Sequence, residues 1–172
     1  MGPRLRAGFS LFEVVVVICL VGIFASILLD RVLRYQEIAE KTAMETTLGA
    51  LRSAQVLQLG ARIIHGGLPA AAKLADENPI EWLAEPPPGY LGALHDASIA
   101  NVPKGSWYFD LKNKELIYRP QRTRFLVPGP DGSDRLRFRV VVKLEGIEKA
   151  VVPSIAELGI RPVVPINWDP GF

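Results

Sequence analysis

The sequence predicts an α+β protein in which one long N-terminal helix, apolar over its first half, packs on a small antiparallel β-sheet. Three observations carry this. Residues 9–29 form a nearly unbroken apolar run, no proline falls between Pro3 and Pro69, and residues 66–172 hold all but one of the 14 prolines among short β-prone runs. At 172 residues, 49% hydrophobic and 22% charged, the chain has room for one ordinary domain and an extension, and it is too apolar to be a disordered tail.

The apolar run opens the helix. Val14 to Leu29 carries no charge. Extended back to Phe9, the run makes about 31 Å of helix at ~1.5 Å per residue, which matches a bilayer core of about 30 Å. Glu13 is its only carboxylate and Cys19 the only cysteine of the chain, which excludes an intrachain disulfide and a thiolate-built zinc site. Arg4 and Arg6 precede the run while Arg31, Arg34 and Lys41 follow it, so charge alone leaves the orientation open. A secretory signal places small residues after its apolar core; here Ala25 and Ser26 lie inside it, and loss of the whole run is not expected.

From Asp30 the pattern turns amphipathic over residues 30–65. Met44, Leu48, Leu51, Leu59 and Ile63 recur at helical spacing among Glu37, Glu40, Lys41, Glu45 and Arg52. Gly66-Gly67 followed by Pro69 is the expected stop.

Residues 66–172 read as a compact α+β unit. Asn78-Pro79-Ile80-Glu81 offers an N-cap, proline at N1 and glutamate at N3 for a short helix that Pro86-Pro87-Pro88 ends, with Trp82 and Leu83 packing inward. "SWYFDLKNKELIYR" predicts a hairpin about Lys112-Asn113-Lys114. "RLRFRVVVKL" alternates so that Leu136, Phe138 and Val140 share one strand face and Arg135, Arg137 and Arg139 the other. Three or four antiparallel strands on the long helix are expected.

Glu13 has two readings. Ser10-Leu11-Phe12-Glu13 fits the S-x-x-E capping box, and a carboxylate in the first turn suits the positive end of the helix dipole. The wider string "RAGFSLFEVVVVICLVGI" resembles the class III signal sequence of type IV prepilins and type II secretion pseudopilins. The resemblance covers roughly residues 4–29: a short basic leader, glycine, phenylalanine, a small hydroxyl residue, two apolar residues, glutamate and a long apolar helix.

That resemblance implies a leader of residues 1–8 cut after Gly8 by a prepilin peptidase, with Phe9 as an N-methylated new amino terminus. It implies that Glu13 pairs with a neighbouring subunit's amino terminus during assembly on an inner-membrane platform. The partners are then other pilin or pseudopilin subunits. The location is a single-pass bacterial inner-membrane precursor, its C-terminal domain periplasmic, that later joins a pilus or pseudopilus. The fold implied is the pilin one. Gly22 with Ser26 makes a small-xxx-small pair for close helix contact, against the plain reading that glycine is common in membrane helices. Two segments, "NPIEWLAEPPPGYLG" and "GSWYFDLKNKELIYR", resemble MSHA-type or related accessory prepilins. The family often has a proline near the end of the apolar segment, where this chain has Asp30, and many major pilins close a C-terminal loop by a disulfide this chain lacks. The second departure points to a pseudopilin or minor pilin.

Between Lys112 and Lys143 nine Lys/Arg face only Glu115, Asp131 and Asp134. Arg135, Arg137 and Arg139 are candidate partner or anion contacts, set against the default of a solvated face. The alternatives are an acidic segment of a neighbour (Asp76, Glu77, Glu81, Glu85), or a DNA-uptake or adhesion role at a filament tip, with DNA the less favoured partner because the chain without Arg4 and Arg6 has balanced charge. Pro130-Asp131-Gly132-Ser133-Asp134 offers two carboxylates, too few for calcium, and reads as a turn. His65 and His95 are the only histidines and sit in no catalytic motif. The expectation is a structural subunit without enzymatic activity, metal or cofactor; a membrane-anchored domain that never assembles is the remaining alternative.

Overall fold

The structure, a computed structural model, describes residues 10–95, 102–145 and 154–170. Gly8, Phe9, the rest of the leader and Asp96 lie outside the described residues. The chain divides into two compact units, Met1–Ile38 and Ala39–Phe172. The element order is α1 (Leu11–Ala72), two 3-10 turns (Lys73–Asp76 and Pro79–Trp82), β1 (Tyr90–Leu94), β2 (Ser106–Asp110), β3 (Glu115–Arg119), β4 (Leu136–Glu145) and β5 (Ser154–Pro162).

Ser10 starts α1: its Oγ accepts the Glu13 amide at 3.2 Å, and its carbonyl accepts the Val14 amide. Regular helix runs as far as Gly67, whose φ of 66° and ψ of −168° break it. A side chain there would be strained, which is why the stop is a glycine. Helix resumes for a short stretch to Ala72 with Pro69 near its start, where its missing N–H costs nothing. The helix therefore passes the expected end at His65 by one residue before breaking, and then continues.

In the second unit, one stripe of α1 faces the sheet. Met44, Leu48, Leu51 and Leu59 are buried as the periodicity requires, and Gln55 fills the turn between the last two. Ile63 departs from expectation at 39% exposed. The turn beyond Leu59 is held instead through Arg62, which pairs with Glu77 at 2.9 Å.

The sheet has five strands in the order β1-β2-β3-β4-β5. It is mixed: β1 runs parallel to β2, while β2 to β5 pair antiparallel. That corrects the expected all-antiparallel sheet of three or four strands. The segment between Leu94 and Ser106 is long enough to cross over and re-enter alongside, which a tight hairpin cannot do. Gly89 allows the close approach at the start of β1: a Cβ there would lie 2.6 Å from the Gly105 carbonyl oxygen. The α+β, pilin-like architecture, a long helix with a small sheet packed on it, is otherwise as expected.

Alternation along the strands builds the core. Trp107, Phe109, Leu116, Tyr118, Leu136, Phe138, Val140 and Ile160 point to the helix side and pack with Met44, Leu48 and Leu51. The Trp107 and Tyr118 rings lie 4.6 Å apart between centroids. Near the C-terminus Trp168 is buried in the same cluster, held by a bridge to Leu126. The expected short helix at Pro79 is a 3-10 turn. Asn78 caps it: Oδ1 accepts the Ile80 amide at 3.2 Å, and Nδ2 donates to Glu81 Oε1 and the Tyr90 hydroxyl. Trp82 and Leu83 are half-buried against the core.

Candidate functional site

The first candidate site is the N-terminal part of α1. It is long and apolar enough to cross a membrane, and none of its most apolar window is buried within the chain. Leu11 is 85% and Phe12 77% exposed, and Val14 through Leu29 present apolar surface all round. A core helix would bury such a surface; this one leaves it uncovered within the chain, as a membrane anchor does. One turn from its start stands Glu13. Its amide is satisfied by Ser10 Oγ, while its side chain is exposed. The cap uses the Glu13 amide and leaves its side-chain carboxylate exposed. Gly22 is open, with no atom within 4 Å of a would-be Cβ, and Ser26 Oγ donates to the Gly22 carbonyl at 2.8 Å. The serine hydroxyl proton is thus spent within the helix, and the surface at Gly22 is open.

The second candidate is the outer face of the sheet, where the strand alternation places Arg137 and Arg139. The structure joins both to Glu115, a carboxylate with no exposure at all. Arg139 stands directly across from Glu115 in the register that pairs Leu116 with Phe138, and its Nη2 donates to Oε1 at 2.6 Å. Arg137 Nε donates to Oε2 at 2.7 Å. Two charge-assisted bonds offset the desolvation of the buried carboxylate. Arg135 is not part of this cluster; its Nη1 donates to the Tyr108 hydroxyl at 3.1 Å. The face continues onto β5, where Glu157 pairs with Lys143 at 2.8 Å and Arg161 at 3.6 Å. Arg161 and Glu157 are four apart on one strand face and reach each other across Gly159. The Lys143 ammonium draws the Glu157 carboxyl below its ordinary range. Sequence patterning flags the β4 arginines only; Arg161 joins them through pairing with β4.

Glu40 is a third feature, absent from sequence-level expectation. Placed on the polar side by periodicity, it accepts hydrogen bonds from the Tyr118 hydroxyl at 2.9 Å and from the amides of Gln121 and Arg122. Its role is structural.

The 130–134 segment is a turn. Gly132 has φ of 68°, Asp131 Oδ1 accepts from Ser133 N and Oγ, and Asp134 lies 3.8 Å from Arg119. Among the described residues, no group of three or more His, Cys, Asp or Glu side chains is gathered as metal ligands would be. His65 and His95 are both exposed and lie on different elements, in α1 and just after β1.

Comparison with family models, with characterised proteins and with solved structures gives no match to this chain.

Proposed function

We propose that this chain is a structural subunit of a pilus or pseudopilus, of pseudopilin or minor-pilin type. In this reading the precursor is anchored in the bacterial inner membrane by residues 9–29 and cut after Gly8. It is then N-methylated at Phe9 and assembled through α1. The observation that carries the reading is the apolar first stretch of α1, exposed from Leu11 to Leu29, whose single carboxylate, Glu13, stands one turn from its start. An ionised side chain at the centre of a membrane helix costs about 2.5–3.5 kcal/mol, and less near the edge. Cutting after Gly8 creates a cationic amine close by. Among packed helices each of these charges is costly alone, and pairing between neighbours relieves both. The pairing is met in one axial register only, so it sets the stagger between identical subunits.

Glu13→Ala tests this in cells that assemble the filament. The leader is still removed, because Gly8 and Phe9 are intact, while incorporation into sedimenting filaments is lost. Normal incorporation of Glu13→Ala reduces Glu13 to part of a helix cap and removes the assembly role.

A further inference from the structure

We infer that the outer face of β4 and β5 docks on the acidic 76–85 segment of a second copy of this chain, in a heterologous contact that repeats along an assembly. The identity of the partner rests on the subunit reading above.

Two patches of opposite charge carry the inference. On the outer face Glu115 holds Arg137 and Arg139, with Asp110 and Asp131 also acting on Arg137, while among the described residues Lys143 and Arg161 share the single carboxylate of Glu157, so positive charge is left over at the β5 end. It is concentrated at Lys143 and Arg161, whose side chains are 68% and 64% exposed. The acidic patch is built from Asp76, Glu81 and Glu85, all exposed, with Glu77 committed to Arg62 and the Trp82 indole.

Their placement decides how they meet. Leu74 and Trp82 anchor the acidic segment against Val142 and Leu158, on the helix side of the sheet. Lys143 and Glu157 pair across the same two strands one residue along, and therefore project from the opposite side. The patches are thus back to back within one chain and cannot neutralise each other there. Between two copies they fit. Since the surfaces joined are different, the contact is not two-fold, and repetition extends it into a helical array rather than a closed dimer. Complementarity of this kind fixes register and partner choice more than raw affinity. Duplex DNA is the less favoured partner because the chain without Arg4 and Arg6 has balanced charge.

The test is zero-length carbodiimide cross-linking of the full-length chain in membranes where it assembles, using a mixture of isotope-labelled and unlabelled copies. The expected product joins Lys143 of one copy to Asp76, Glu81 or Glu85 of another, read as mixed-isotope peptide pairs. Lys143→Glu with Arg161→Glu lowers the yield of cross-linked filament about tenfold or more, since like charges then face each other. Adding Asp76→Lys and Glu85→Lys to that variant restores sedimenting assembly. These four positions are exposed and leave the Glu115 cluster intact, and since the reversal removes both partners of Glu157, the variant's thermal unfolding is measured beside the parent's to show that the domain still folds. Filaments that sediment normally but give no such cross-link, or that tolerate the reversal, overturn this contact and leave the subunit reading standing. Absence of any sedimenting assembly of the unaltered chain overturns both. Salt-sensitive duplex DNA binding lost in the reversal variant, with no intermolecular cross-link, assigns the face to nucleic acid instead.

Discussion

Glu40 of α1 and Tyr118 of β3 are 78 positions apart in sequence and meet in a 2.9 Å hydrogen bond, the phenol donating to the carboxylate. The same carboxylate accepts the amides of Gln121 and Arg122, so one side chain ties the helix to the end of β3 and to the turn that follows. Glu40→Ala orphans all three donors and is expected to lower the stability of the folded domain by about 2–3 kcal/mol, whereas Tyr118→Phe, which removes one bond, costs about 1 kcal/mol. Thermal unfolding of the full-length variants in one detergent checks the order. Equal losses for the two would contradict it.

Tyr118 also sets an alkaline limit. Burial, the hydrogen bond to Glu40 and the Glu40 charge all push its ionisation above the usual tyrosine value of 10.0. The folded state keeps the phenol protonated where the unfolded state has lost its proton. Stability from this group is therefore complete below pH 10 and declines as pH rises above it toward the folded-state value. The melting temperature should fall between pH 9.5 and about 11.5, and fall less in Tyr118→Phe. An identical alkaline decline in both proteins would contradict this.

Glu115 carries the outer face. Removing it leaves two guanidinium groups facing each other beside an emptied, buried site, while removing Arg139 still leaves Arg137 in place. Glu115→Ala is expected to destabilise by about 3 kcal/mol and Arg139→Ala by about 1 kcal/mol. In a double-mutant cycle the pair should show a coupling of at least about 0.5 kcal/mol. Additive losses would mean that the ion pair contributes nothing measurable.

The β2–β3 turn rests on Asp110, whose carboxylate accepts from the Lys112 amide at 2.8 Å, the Asn113 amide at 3.3 Å and Asn113 Nδ2 at 2.7 Å. Burial pushes its carboxyl up, but the Asn113 and Lys112 contacts outweigh this and hold it below 3.8. A carboxylate lowered in this way contributes fully above pH 3.8 and is lost as pH falls through the folded value. Asp110→Ala should cost about 1 kcal/mol at neutral pH and narrow toward no difference at the acid limit. A constant difference down to pH 2 would contradict the charge-based part of the turn.

Much of this structure is legible in the sequence because periodicity and turn chemistry are local. The stripe from Met44 to Leu59, the break at Gly67, the cap at Asn78, the hairpin before Glu115 and the Leu136-Phe138-Val140 face all follow from spacing and residue type. The elements that do not follow depend on distant partners. β1, "YLGAL", has no β-branched residue and a glycine at its centre, and β5, "SIAELGIRP", contains an Ala-Glu-Leu stretch that favours helix; each is a strand because of its pairing with β2 or β4. The burial of Glu115 and the bonding of half-buried Glu40 are equally invisible, since a carboxylate is placed outward by default until its arginines, phenol or amides arrive from elsewhere in the chain. The site at the N-terminus is the reverse case. Its motif is readable residue by residue, and the fold adds that its apolar surface is left uncovered and that Ser10 caps the helix without occupying the Glu13 carboxylate.

The most direct measurement is the mass of the N-terminal peptide of the mature protein isolated from membranes. Processing after Gly8 predicts a chain that begins at Phe9 with one methyl group on its amine, and its disappearance when Gly8 is replaced by a bulky residue. A mature chain that begins at Met1, or one that begins after Ala25, contradicts the proposal at its root, because Glu13 would then have no new amino terminus to pair with.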